Sequence, residues 1–128
     1  MSVHRRLRLL VQPWRLVVLR FDAATPLATV ALQAPAEGFT ALVRSAESVT
    51  LVRETQDGDT ALVWRAIEIA GSFAFTETGV LAAIAAPLAA AGVSIFAINS
   101  FETDFVLVPE ADLDRARDAV EAAGHQLG

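Results

Sequence analysis

ETGVLAAIAAPLAAAGVSIFAINSFE, from Glu77 to Glu102, has no charged side chain in the 24 residues between its two glutamates. A membrane-crossing helix needs about 20 consecutive, strongly apolar residues. Here Pro87, Gly92, Ser94, Asn99 and Ser100 interrupt the run, and much of its apolar content is alanine. The stretch divides instead at Gly92. Ahead of it, Val80, Leu81, Ile84 and Leu88 recur at helical spacing, with helix-favouring alanines between them. After it, the β-branched and aromatic residues of VSIFAINSF, 93–101, predict a strand covered on both faces. Gly92 is the expected helix stop. Pro87 removes one helical hydrogen bond and predicts a bend, or a helix in which that loss is tolerated. The missing charge then means burial inside protein.

Working outward, WRAIEIAG (64–71) reads as a strand and SFAFTET (72–78) as a loop entering a helix over 79–91. DFVLV (104–108) is a further strand, and Pro109 opens a second helix. That helix carries Leu113, Ala116, Val120 and Ala123 on one stripe, with acids early and Gly124 at its end. A short HQL strand (125–127) can return to the sheet. The order is βαββαβ, the ferredoxin-like α+β plan of a four-stranded antiparallel sheet with two helices on one face.

The first half reads as mostly β. RLRLLV and RLVVLRFD are strands on either side of Pro13, and FTALVRS and SVTLVRE are two more. The polar turn QDGD, 56–59, marks the boundary and gives two units, 1–62 and 63–128. Charge supports the division. Residues 1–63 hold seven Arg and six acids, net +1, whereas residues 64–128 hold three Arg and nine acids, net −6.

Composition narrows the function. With 128 residues, 54% of them hydrophobic, the chain can build a core, and without cysteine it folds without disulfides. The lack of thiols also removes thiolate chemistry and Cys-based metal sites. The two histidines, His4 and His125, lie near opposite ends, so spacing suggests no metal cluster and no Ser–His pair. A cytoplasmic location is expected. The apolar run at the N-terminus is cut by Pro13, Trp14 and Arg15, so no signal peptide is expected. A net charge of −5 argues against a nucleic-acid partner. No nucleophile elbow, P-loop, zinc motif or calcium loop is present in the sequence, so no enzyme activity, metal or cofactor is expected.

With these elements placed, GSFAFTETGVLAAIAAPLAAAGVSIFAINSFETDFVLVPEADLDRA, Gly71 to Ala116, resembles an ACT domain, the small βαββαβ module that commonly binds amino acids and regulates metabolic enzymes. It is similar to the second ACT unit of a small bacterial family and to the repeated units of the cytosolic arginine sensors of animal nutrient signalling. Residues 1–62 resemble the smaller, degenerate first ACT-like unit of the same group. The resemblance implies a non-catalytic regulatory protein, with a small-molecule amino acid or related metabolite held between the ACT units of a homodimer. It also implies a regulated enzyme or other protein partner, and no membrane. Gly79 matches the glycine of the helix opening that contacts the ligand, with Thr78 and Val80 beside it as further candidates. Ser100, Phe101 and Asp104 match the strand and turn around it, with Asn99 a further candidate at a position that departs from the pattern, and Ser94 and Ile95 match positions supplied by the opposing unit. INSF stands here where the common pattern is Ile-Ser-Thr-Phe.

Physical chemistry gives such a site a rationale. N–H groups at a helix start lack intrahelical partners, and the helix dipole there favours a carboxylate. Thr76 or Thr78 can cap this end, and Asp104 at a strand start can pair with an ammonium group. The same residues also read as a helix start and a turn aspartate that need no ligand. The second class of function is therefore a ligand-free dimerisation or protein-interaction module.

Overall fold

The computed structural model describes residues 6–70 and 79–128. The chain packs as two compact units, one of residues up to Pro13 with Arg65–Gly128, the other Trp14–Trp64. Strand β1, Arg8–Asp22, runs through Pro13 and so contributes to both. A proline is tolerated in this strand because its missing N–H falls between ladders. The partner β7 ends opposite Leu9, and the partner β3 begins opposite Leu16.

The larger unit contains β4 (Val63–Ile69, from Arg65 onward), α2 (Val80–Ala90), β5 (Phe96–Asn99), β6 (Asp104–Pro109), a 3-10 turn over Glu110–Asp112, α3 (Leu113–Ala122) and β7 (Gln126–Leu127). The βαββαβ order is as expected from the sequence. The strands run β1-β4-β6-β5, and β7 pairs parallel with β1 at Arg8 and Leu9. The first residues of β1 are thus inserted between the last strand of the plan and its first, making the sheet one strand wider.

Alternation explains the core. Leu7, Leu9, Ile67, Ile69, Val106 and Val108 point to one face, where they meet Val80, Ile84 and Leu88 of α2 and Ala116 and Val120 of α3. Each fully buried Leu or Ile contributes about 1.5–3 kcal/mol. Helix α2 ends at Ala91, and Gly92 follows at φ 75°, a left-handed stop that favours glycine. Strand β5 is shorter than the predicted 93–101. Phe96 pairs with Leu107, so Ser94 would fall opposite Pro109, which has no N–H to give.

Helix α2 keeps Pro87 in its interior. The carbonyl left without its helical donor is that of Ala83, and the His125 ring nitrogen Nε2 lies 2.7 Å from it. The other ring nitrogen, Nδ1, accepts the N–H of Leu7 at 3.1 Å. A backbone N–H can only donate, so Nε2 carries the ring proton.

The smaller unit is βαββ: the remainder of β1, a short helix α1 (Leu27–Ala31), β2 (Thr40–Arg44) and β3 (Ser48–Glu54) in the order β2-β3-β1. Val30 of the helix packs on Val49 and Leu51. Trp14 stacks on Phe39, ring centroids 5.2 Å apart.

Candidate functional site

The site is built from the end of β4 outward. Asn99 and Asp104 are cross-strand partners on β5 and β6. Between them the turn is closed by Ser100 and Thr103. The Ser100 N–H donates to the Thr103 carbonyl at 2.8 Å. Its Oγ donates to the same oxygen at 2.8 Å and accepts the Thr103 N–H at 3.0 Å. Phe101 sits at the tip, 79% exposed. The Thr103 hydroxyl then donates to the carbonyl of Ile69, the last residue of β4, at 3.0 Å.

A chain of contacts brings the start of α2 to this same end of the sheet. The Ala70 N–H donates to Arg8 of β1, and the neighbouring Leu7 N–H reaches His125. His125 holds Ala83, whose own N–H closes the first helical turn on the Gly79 carbonyl at 3.0 Å. Gly79 has φ 84°, a backbone state for which glycine is suited, and among the described residues nothing lies within 4 Å of where a Cβ would stand. Val80 sends its side chain into the core, 4% exposed, and leaves only its backbone at the helix end.

Gly79, Asn99, Ser100, Phe101 and Asp104 are thus gathered at one end of the sheet. Ser94, exposed, and Ile95, packed against the core, lie at the other end of β5. Six residues of extended chain separate Ser94 from Ser100, about 20 Å. One copy of the unit does not bring these two groups together. Thr76, Glu77 and Thr78, with Phe73 and Phe75, lie outside the described residues.

Two residues with structural weight at this end escaped the sequence reading. Thr103 is an unremarkable turn threonine until its Ile69 partner is known. His125 looks terminal in the sequence but is 6% exposed. The interior Pro87 was the available clue, since it frees a carbonyl that something must satisfy.

The charged pair with the clearest electrostatic signature lies elsewhere, in the smaller unit. Arg53, 6% exposed, makes paired bonds to Asp59 at 2.8 and 2.9 Å. Those bonds, then the Gln56 N–H, hold the Asp59 carboxyl down at about 2 from an ordinary 3.8. The pair fastens the 55–59 turn to β3 and has no part in the candidate site. Among the described residues no group of three or more His, Asp or Glu side chains could hold a metal ion. Among them, too, no helix is long and apolar enough to cross a membrane.

The architecture of the larger unit is that of a ferredoxin-like α+β domain. Residues 60–122 match the family model described as ACT domain, and through this part the chain belongs to the ACT-domain family. Over 98 residues, 72% of this chain, it is 33% identical to the protein named cytosolic arginine sensor for mTORC1 subunit 1 of Bos taurus. Over 80 residues it is 38% identical to the human protein of the same name. The chain spans 29% of the bovine sensor's length. Among solved structures it is similar to a protein from Agrobacterium tumefaciens, with a TM-score of 0.79 and 28% identity over 97% of this chain and 93% of that one. The fold is also that of aspartokinase subunits, with a TM-score of 0.63 at 13% identity over 93% of this chain and 98% of that one.

Proposed function

We propose that this chain is a non-catalytic, cytoplasmic regulatory protein that binds an amino acid or related small metabolite between ACT units of a homodimer. The observation that carries this reading is that the helix start at Gly79 and the Asp104 turn lie at the same end of the sheet. Helix-start N–H groups there take the α-carboxylate. Asp104 takes the positive group, and Asn99, Ser100 and Phe101 shape the pocket. Ser94 and Ile95 of a second copy supply the opposing wall, since within one copy they lie at the far end of β5. The arginine sensors among the relatives make arginine the first ligand to try. The βαββ unit of Trp14–Trp64 repeats the first four elements of the ACT plan, which supports its being a degenerate ACT-like unit.

The test is a melting series with each of the twenty amino acids. A ligand at 100 times its Kd adds about 2.7 kcal/mol, roughly 5–15 °C for a chain of this size. A selective shift that is lost in Asp104→Ala supports the reading. No shift with any amino acid removes it and favours the assembly module. One feature favours that second reading: the exposed positions of α2 are Leu81, Ala82, Ala86, Ala89 and Ala90, without a single polar side chain.

A further inference from the structure

We infer that Thr103 is a positioning residue, whose hydroxyl sets the Asp104 turn against the end of β4, an inference that rests on the ligand reading above. Every polar group of Thr103 is engaged. Its N–H and carbonyl are held by Ser100 within the turn, and its Oγ1 donates outward to Ile69. The outward bond runs from an exposed turn to a buried strand. Ile69 is fully buried in the core, whereas Asn99 and Ser100 are exposed. The hydroxyl therefore ties the turn to the buried end of β4. Gly79 is tied to the same sheet end through Leu7, His125 and Ala83, so the position of the turn bears on the spacing between the two backbone elements that would grip the ends of an amino acid. A misplacement of about 1 Å between such elements is enough to weaken a polar site.

The decisive variants are Thr103→Val, which keeps the shape and removes the donor, and Thr103→Ser, which keeps the donor. The amide of Ala70 is bonded to the Ile69 carbonyl carbon, so its NMR resonance reports the hydrogen bond directly. The Asp104 amide reports the turn. In the protein without ligand, both resonances move in Thr103→Val and return to near their original positions in Thr103→Ser. In calorimetric titration with arginine, Thr103→Val binds about tenfold more weakly, the loss expected for one hydrogen bond, and Thr103→Ser binds within about twofold of the parent. Unmoved Ala70 and Asp104 resonances in Thr103→Val overturn the inference. Equal binding by the Val variant and the parent overturns it as well. A parent that binds no amino acid removes the ligand reading, and the two amide resonances then still decide whether Thr103 positions the turn.

Discussion

The His125 imidazole donates from Nε2 to the carbonyl of Ala83, at 2.7 Å, the acceptor that Pro87 deprives of its helical N–H. Through Nδ1 it also satisfies the buried N–H of Leu7. One side chain from just before β7 thus closes a gap in α2 and anchors the start of β1. The first turn of α2, and with it Gly79, is held by this bridge.

Replacing His125 with alanine leaves both backbone groups without their partner and opens a cavity. Each orphaned buried group costs about 1–3 kcal/mol, so His125→Ala is expected to lose about 2–4 kcal/mol. In a chain of this size that lowers Tm by roughly 6–15 °C. Urea unfolding of the variant checks this. A loss under about 1 kcal/mol would mean that solvent or a shifted backbone takes over both bonds.

Pro87 and His125 are expected to be coupled. Pro87→Ala restores an N–H that can reach the Ala83 carbonyl in the ordinary helical pattern. In the His125→Ala background this change should recover about 1 kcal/mol more than it does in the parent. A double-mutant cycle measures that difference, and an additive result would disconnect the two residues.

The helices and strands of the larger unit were legible because periodicity, Gly92, Gly124 and Pro109 all agree on where each element starts and stops. Within the uncharged run, Val80–Ala90 formed a helix and Phe96–Asn99 a strand for the same reason. The insertion of β1 between β4 and β7 was not legible. Arg8 and Gln126 are 118 positions apart, and nothing in RLRLLV names its neighbours. Pro13 suggested two strands, because a break in hydrogen bonding looks the same in sequence whether the chain turns there or only changes partner. At the candidate site, Gly79 and Asp104 carry motif and local chemistry that single them out. Thr103 acts through a backbone carbonyl 34 residues away, and a backbone partner leaves no mark in sequence.

Acid sensitivity should trace in part to the smaller unit. Asp59 has its carboxyl lowered to about 2 in the folded chain, from 3.8. The folded state therefore favours the ionised form. Its contribution is complete above about pH 4 and is lost as pH falls through about 2. Asp59→Asn removes this contribution and leaves the Arg53 charge, 6% exposed, without its carboxylate. The variant is expected to be less stable than the parent at neutral pH, with the gap narrowing from about pH 4 to about pH 2. Urea midpoints across that range measure it, and a constant gap would show that the pair does not govern this transition.

Gly79 separates backbone cost from ligand cost. At φ 84° an alanine is strained, and since among the described residues nothing lies within 4 Å of its Cβ the expense expected is conformational, about 1–2 kcal/mol. Asparagine tolerates the left-handed region better and should cost less. If Gly79 only starts a helix, amino-acid binding by the two variants should follow their stability, with Gly79→Asn the milder change. If the helix start receives a carboxylate, the asparagine side chain intrudes on the approach. Gly79→Asn then binds at least about tenfold more weakly than the parent while melting closer to it than Gly79→Ala does. Calorimetric titration beside thermal melting of both variants distinguishes the two, and equal binding by Gly79→Asn and the parent would move the ligand away from this helix.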